Sequence, residues 1–420
     1  MGKLIFILYT AAAPLLTAGY LFSLIFTPRR GRLAKLGPEL NERLAIKLPD
    51  FPQGAIWFHA ASMGEVKAIS VFAPLLAKKL NKDFFITVST ATGKKEALKI
   101  TKNVTLMPID FYPFIIKFLN KEKPAMLINA ETEIWPAAFH LAEKKGIPIY
   151  MVSARISPGT FGLYKKLSPF TKFIFKGVKK TLCQTEADTG RYKALKGLEG
   201  KVSTTGNLKY DQTPMAKENP EVTELMKYFN PNNEPVFVAG CTHAEEEPVI
   251  LEGYKAALKH VSGLKLIIAP RHLEQISIAR KNIEQAGLDY HIWPDMPAKK
   301  AESSNVLLIN KTGALQALYR HSSVCFVGGT LDKTGGHNLL EPALFGKPVL
   351  FGPNYRTAKA AGDALSRNKG GFIITSQEEL AAALNRLLGS SSAISEAESN
   401  SARTLKELQG ATDRTLASIP

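Results

Sequence analysis

Cysteine is scarce in this 420-residue chain: Cys183, Cys241 and Cys325 lie far apart, with no Cys-x-x-Cys among them. That excludes a disulfide framework and a thiolate zinc site, and it fits a reducing, cytoplasmic setting for the bulk of the chain. Acidic residues are also in deficit. The 37 Asp and Glu against 54 Lys and Arg leave a formal charge of +17, which suits an anionic partner such as nucleic acid, an acidic lipid surface or a phosphorylated substrate. Several signatures are missing too: no Gly-x-x-x-x-Gly-Lys-Ser/Thr, no ordered Gly-x-Gly-x-x-Gly, no Gly-x-Ser-x-Gly, no His-Glu-x-x-His and no Asp-x-Asp metal clamp. No metal centre and no cofactor are therefore expected, and scattered histidines such as His140, His260 and His291 are expected to pack or face solvent.

From Leu4 to Phe26 no charged residue occurs, and about 23 helical residues reach across a hydrocarbon core of roughly 30 Å. Arg29, Arg30, Arg32 and Lys35 follow while only Lys3 precedes, so the positive-inside bias predicts a transmembrane signal anchor with everything after it in the cytoplasm. Lys and Arg near such a surface are attracted to anionic lipids, which accounts for part of the basic excess. A cleaved signal peptide would have a shorter apolar core.

Beyond this anchor and its basic flank, residues 1–35, strand-length apolar runs alternate with helical patterns. That alternation predicts parallel sheets covered by helices, α/β in class. Candidate strands in the first half are Ala55–His59, Phe84–Ser89, Thr105–Ile109, Ala125–Asn129, Pro148–Ser153, Thr181–Gln184 and Val202–Thr205. A proline-bearing polar stretch, 211–235, reads as a linker between a domain over 36–210 and a second over 236–420. The second alternation runs through Val236–Gly240, Leu264–Ala269, Val306–Ile309, Val324–Gly328, Pro348–Phe351 and Gly371–Ile374, and a last helical stretch near Ala402–Gln409 could end it or pack back on the first. Two Rossmann-like, doubly wound domains in tandem are the GT-B architecture, with ligands expected in a cleft at the strand ends. Glycosyltransferases and some epimerases share it, so the fold alone does not fix the reaction.

The strand ends carry the chemistry. Ile56-Trp57-Phe58-His59 runs through Ala60 and Ala61 into Ser62-Met63-Gly64-Glu65. At the start of a helix, a Glu65 carboxylate is expected to stay ionised, ready to take a proton from an attacking hydroxyl; equally, Ser62-x-x-Glu65 is a capping box. Asn129-Ala130-Glu131-Thr132-Glu133-Ile134-Trp135-Pro136 brings two acids to another strand exit, on one side if the strand continues, although the Trp-Pro argues that it stops. Ser153-Ala154-Arg155 and Gly206-Asn207-Leu208-Lys209 end two more strands in cations. In the second half Pro270-Arg271-His272 offers a guanidinium for a phosphate, and Lys311-Thr312-Gly313-Ala314 opens a helix whose free N–H groups suit a nucleotide. The run from Gly335 to Pro342 includes Asn338-Leu339-Leu340-Glu341, where Asn338 and Glu341 either hold sugar hydroxyls or cap a helix.

In combination and in order, the anchor, His59–Val66, Glu131–Pro136, Ser153-Ala154-Arg155-Ile156-Ser157, Thr205–Asp211, Ala269–His272 and Gly335–Pro342 resemble the Kdo transferase family along nearly the whole chain. Those enzymes move 3-deoxy-D-manno-octulosonic acid (Kdo) from CMP-Kdo to the lipid A precursor, in the inner-core steps of lipopolysaccharide synthesis. The resemblance implies Glu65 as the general base, with Glu131 and Lys209 stabilising the transition state. It implies CMP contacts from Pro270 and Arg271, from Thr312, Gly313 and Ala314, and from Asn338, Leu339, Leu340 and Glu341. The implied reaction is inverting and metal-independent, at the inner membrane. One departure stands out: Gly313-Ala314-Leu315 replaces the family's usual Gly-Glu-Leu. Two other classes remain to be separated from this one. A non-catalytic lipid or nucleic-acid binder would use the same charge, though no nucleic-acid motif occurs; a nucleotide-sugar epimerase would need no anchor.

Overall fold

The computed structural model describes residues 1–12, 33–212, 218–295, 297, 301 and 304–420. Two compact units result: residues 1–212 with 409–420, and residues 213–408. The sequence reading carried the second domain through to residue 420, whereas the last twelve residues return to the first unit.

Strands of the first unit are β1 (Ile56–His59), β2 (Phe84–Val88), β3 (Val104–Leu106), β4 (Met126–Ala130), β5 (Ile149–Ala154), β6 (Val178–Cys183) and β7 (Val202–Thr204). All pair in parallel in the order β3-β2-β1-β4-β5-β6-β7. Side chains alternate between two cores, as the period of a strand requires. Trp57 and Phe85 join Phe118 and Phe139 on one face, while Ile56, Phe58 and Ile86 join Phe72 and Leu76 on the other. Such a doubly covered sheet needs apolar residues at nearly every strand position, which is why the strands read as continuous runs.

The second unit repeats the plan with β8 (Val236–Thr242), β9 (Lys265–Pro270), β10 (Tyr290–Trp293), β11 (Val306–Ile309), β12 (Val324–Val327), β13 (Val349–Phe351) and β14 (Gly371–Ile373). These pair in parallel in the order β10-β11-β9-β8-β12-β13-β14. β10 is absent from the sequence expectation. Within the stretch read as a linker, Pro220–Phe229 is a helix: Asn219 Oδ1 caps it by accepting from Glu221 N and Val222 N, and Val222, Leu225, Met226 and Phe229 are buried on one face.

In each unit the strand order reverses beside the first strand, between β1 and β4 and between β8 and β12. Open α/β sheets leave a crevice at the carboxyl ends of such a switch point. The candidate site residues Glu65 and Glu131 follow β1 and β4; His243 and Gly328–Thr330 follow β8 and β12.

Residues 2–12 are helical, and this helix docks on the first unit. Phe6 is buried against His140 and Phe173, with ring centroids 4.7 and 5.2 Å away. The Tyr9 hydroxyl donates to Asp110 Oδ2 at 2.8 Å. The rest of the expected membrane span, from residue 13 to Phe26, lies outside the described residues; among the described residues no helix is long and apolar enough to cross a membrane.

Candidate active site

In the first unit, β1 delivers its chain through buried Ala60 and Ala61 into the helix Met63–Ile69. The capping box forms: Ser62 Oγ accepts from Glu65 N at 3.4 Å, and Glu65 Oε2 accepts from Ala61 N at 2.5 Å and Ser62 N at 3.3 Å. These N–H groups do not hold the carboxyl in the ordinary range. Burial, then the neighbouring charges of Glu131 and Glu133, push its pKa up to about 7, against the opposing pull of the two backbone donors. This corrects the expectation that the helix start keeps Glu65 firmly ionised: desolvation outweighs two hydrogen bonds. A carboxyl so poised accepts a proton near neutral pH far better than an ordinary glutamate.

β4 stops at Ala130, and Glu131 turns into the left-handed region at φ +53°. Its carboxylate is buried and held by two cations, with Oε1 2.5 Å from Lys209 Nζ and Oε2 3.2 Å from Arg155 Nε. Glu133 does not share that grip; burial and the Glu131 charge raise its pKa. A Cβ on Gly64 would lie 3.9 Å from Lys209 Nζ, so the ammonium stands beside the helix that carries Glu65. Lys209 is fixed in turn by a chain of loop contacts: its N–H donates to Asn207 Oδ1 (3.0 Å), Asn207 Nδ2 to Gln184 Oε1 (3.2 Å), and Gln184 Nε2 to Ser153 O (2.9 Å). Thus Glu65, Glu131 and Lys209 converge within one unit. Arg155, noted in sequence only as a terminal cation, is the second partner of Glu131.

Behind them runs a network that the sequence did not reveal. Trp135 Nε1 donates to His59 Nε2 at 2.8 Å, and His59 Nδ1 and Trp57 Nε1 meet Thr87 Oγ1 at 2.9 and 2.7 Å. Burial pushes the His59 pKa down to about 3, so the ring is neutral and serves to hold Trp135, which starts the helix Pro136–Lys144 after Glu133. Asp110 caps that helix by accepting from Ala137 N and Ala138 N, each at 2.9 Å.

In the second unit, Pro270 ends β9 and Arg271 N donates to Thr242 O at 2.9 Å. Glu341 neighbours Arg271: burial raises its carboxyl, while the Asn338 amide and the Arg271 charge pull it down. Asn338 Nδ2 donates to Glu341 Oε1 (3.3 Å), and Asn338 Oδ1 accepts from Leu340 N (3.2 Å). Thr312 and Gly313 form an exposed turn, with Gly313 at φ +84°. Ala314, Leu339 and Leu340 are buried side chains, so any ligand contact from these three comes from their backbones.

One buried carboxylate fastens this unit's loops together. Glu246 accepts four backbone N–H groups: His243 and Gly329 on Oε2 (3.1 and 2.7 Å), Thr330 and Leu331 on Oε1 (2.9 and 2.7 Å). That brings His243, after β8, against Asp332, Thr334 and His337, after β12. Among the described residues, His243, Glu245 and Asp332 form the group whose ligand-type atoms approach within 4.8 Å. Both ring nitrogens of His243 are already engaged, one by Asp332 and one by His337, which makes this a hydrogen-bonded chain. A cavity of about 620 Å³ beside it is lined by Glu245, Leu331, Asp332, Lys333, Thr334 and Asn354. The sequence signal for His243 was its position directly after the first strand of the second unit.

Comparison with known proteins gives four further findings. A family model described as 3-Deoxy-D-manno-octulosonic-acid transferase (kdotransferase) matches residues 38–212. A bifunctional glycosyltransferase/methyltransferase of Fusobacterium nucleatum is 32% identical over 84% of this chain, which spans 56% of that relative's length; a 3-deoxy-D-manno-octulosonic acid transferase of Rickettsia bellii is 31% identical over 84% of the chain and 82% of its own length. The crystal structure of a glycosyltransferase from Rickettsia africae superposes with a TM-score of 0.58 at 17% identity, covering 88% of this chain and 98% of that one, a likeness of fold.

Proposed function

Since the chain belongs to the Kdo transferase family of glycosyltransferases, we propose that it moves Kdo from CMP-Kdo to a hydroxyl of a lipid A precursor, with inversion and without a metal ion. Glu65 takes the proton of the acceptor hydroxyl as its oxygen forms a bond to the anomeric carbon of Kdo. The bond from that carbon to the phosphate oxygen breaks, and CMP departs with the electron pair. The observation that carries this is the Glu65 carboxyl, set after β1 at the switch point and tuned to about 7 by burial and two neighbouring glutamates. Lys209 and Arg155, anchored on Glu131, supply positive charge beside the base, where a phosphorylated acceptor adds negative charge.

In the second unit, Arg271 suits the donor phosphate, and Asn338 and Glu341 suit sugar hydroxyls. The turn Thr312–Ala314 suits the nucleotide through its backbone. Because the Ala314 side chain packs in the core, a backbone contact survives the replacement of the family's glutamate. Because Phe6 and Tyr9 pack on the first unit, Leu4–Phe26 does not serve whole as a membrane span; the inner-membrane anchor is left to the segment after residue 12 and its basic flank, with both units in the cytoplasm. It holds the enzyme beside an acceptor that stays in the bilayer, raising the local concentration of each for the other.

The test is Glu65→Gln. The amide keeps the shape and still accepts from Ala61 and Ser62, but cannot take the proton. Turnover of CMP-Kdo with lipid acceptor is expected to fall by about 10²–10⁴-fold while CMP affinity stays unchanged. Retention of wild-type turnover would remove Glu65 from the role of base.

A further inference from the structure

Three imidazoles meet beside the residues assigned above to the donor. His243 and His337 stack with ring centroids 5.3 Å apart, and His272, next to Arg271, stands edge-on to His243 at 5.6 Å. His243 Nε2 and His337 Nε2 are 3.0 Å apart, so one of the two carries the shared hydrogen. On the other side of His243, Nδ1 is 3.2 Å from Asp332 Oδ2 and 3.5 Å from Thr334 Oγ1. The Thr334 hydroxyl spends its hydrogen on Asp332 Oδ2 at 2.8 Å, so Nδ1 faces two acceptors and must bear a hydrogen itself. In the neutral chain His243 Nε2 is then the acceptor, His337 Nε2 the donor, and His337 Nδ1 a bare lone pair. One proton added at His337 Nδ1 reverses this: the His337 Nε2 hydrogen passes to His243 Nε2, so that His243 becomes an imidazolium against Asp332 and its Nε2–H donates to His337 Nε2. The far end of the chain thus changes from acceptor to donor.

Resting on the assignment of the donor nucleotide to this unit, we propose that Asp332, His243 and His337 form a proton-accepting chain that takes one proton from solvent when a nucleotide phosphate binds. Through His337 Nδ1–H the chain donates to that phosphate. No bond of the ligand breaks in this step; the proton comes from water and resides on the His243–His337 pair, neutralised by Asp332.

The surroundings set the direction. From the loop after β8 come Glu245 and Glu246; from that after β9, Arg271 and His272; from that after β12, Asp332 and Lys333; beyond it lie Glu341 and Arg356, which donates to Thr334 O. Glu246 is occupied by four backbone N–H groups. In the empty site, burial, then His243 and Arg271, hold the His337 pKa down at about 4 despite Asp332, so that ring is neutral. A phosphate dianion arriving beside Arg271 cancels that repulsion and favours the protonated chain. Gly329 makes room for the geometry: at φ +70°, a Cβ there would come within 3.1 Å of His337 Cδ2 and Nε2.

The experiment is calorimetric titration of the whole protein with CMP at pH 7.5 in buffers of differing ionisation enthalpy, which counts protons taken up on binding. The wild type is expected to take up a substantial fraction of a proton, approaching one per CMP bound. His337→Gln and His243→Gln are expected to bind CMP with that uptake lost, and Asp332→Asn, which keeps the shape, with it reduced. Uptake that persists unchanged in both histidine variants, or that is absent in the wild type while CMP binds, overturns the chain and leaves the donor assignment standing. Failure of the wild type to bind CMP at all overturns both.

Discussion

Glu65 combines two tasks in one carboxyl. It closes a capping box, and its raised pKa keeps it close to half-ionised at neutral pH. The ionised base is the working form, so kcat/KM is expected to rise as pH increases through about 7 and level off above it; a profile already flat from pH 5 upward contradicts a base tuned by burial. Stability follows the opposite course. A carboxyl whose pKa is raised on folding binds its proton more tightly in the native state, so its contribution is present at low pH and is lost as pH rises through the native value. Glu65→Gln is therefore expected to match or exceed the wild-type melting temperature at pH 8, and the gap is expected to close below pH 6. Thermal scans at the two pH values check this.

At the scale of elements, loops set the sites and strands set the loops. Glu246 joins the loop after β8 to the loop after β12 through four backbone N–H groups. Glu246→Ala leaves those donors without their acceptor and is expected to cost about 3 kcal/mol or more, read as a lowered melting temperature with CMP affinity lost alongside. Most strands were legible because doubly covered parallel strands need unbroken apolar runs. The exceptions have local causes. β10 is four residues with His291 buried in its middle, and the true start of β6 at Val178 was hidden because Lys179 and Lys180, both exposed, interrupt its apolar run. Glu65 was legible from its strand, tight turn and helix. The His243–His337 pair, 94 residues apart, and the Arg155–Glu131 pair depend on which strand ends become neighbours, and no local pattern encodes that.

At the scale of the whole chain, the return of residues 409–420 to the first unit had no strong apolar signal, because its helix Ala411–Ser418 buries chiefly small side chains, Ala411, Thr412 and Thr415. Buried Ile419, with Leu416 packed against the same core, and a set of polar contacts hold it. Asp211 accepts from Gly410 N at 2.7 Å and Thr412 N at 2.5 Å, Arg414 Nε donates to Thr205 O at 2.9 Å, and Lys79 Nζ donates to Leu416 O at 2.8 Å. Removing residues 411–420 is expected to raise amide exchange across the first unit, around β1 and β7, while β8 to β14 keep their protection. Equal loss in both units contradicts this division. The central claim is the reaction itself, and it is tested most directly by incubating the purified, detergent-solubilised protein with CMP-Kdo and tetraacylated lipid A precursor and weighing the lipid. The expected result is added mass in whole Kdo units with the wild type and none with Glu65→Gln; unmodified lipid in the presence of donor shown to be active would contradict it.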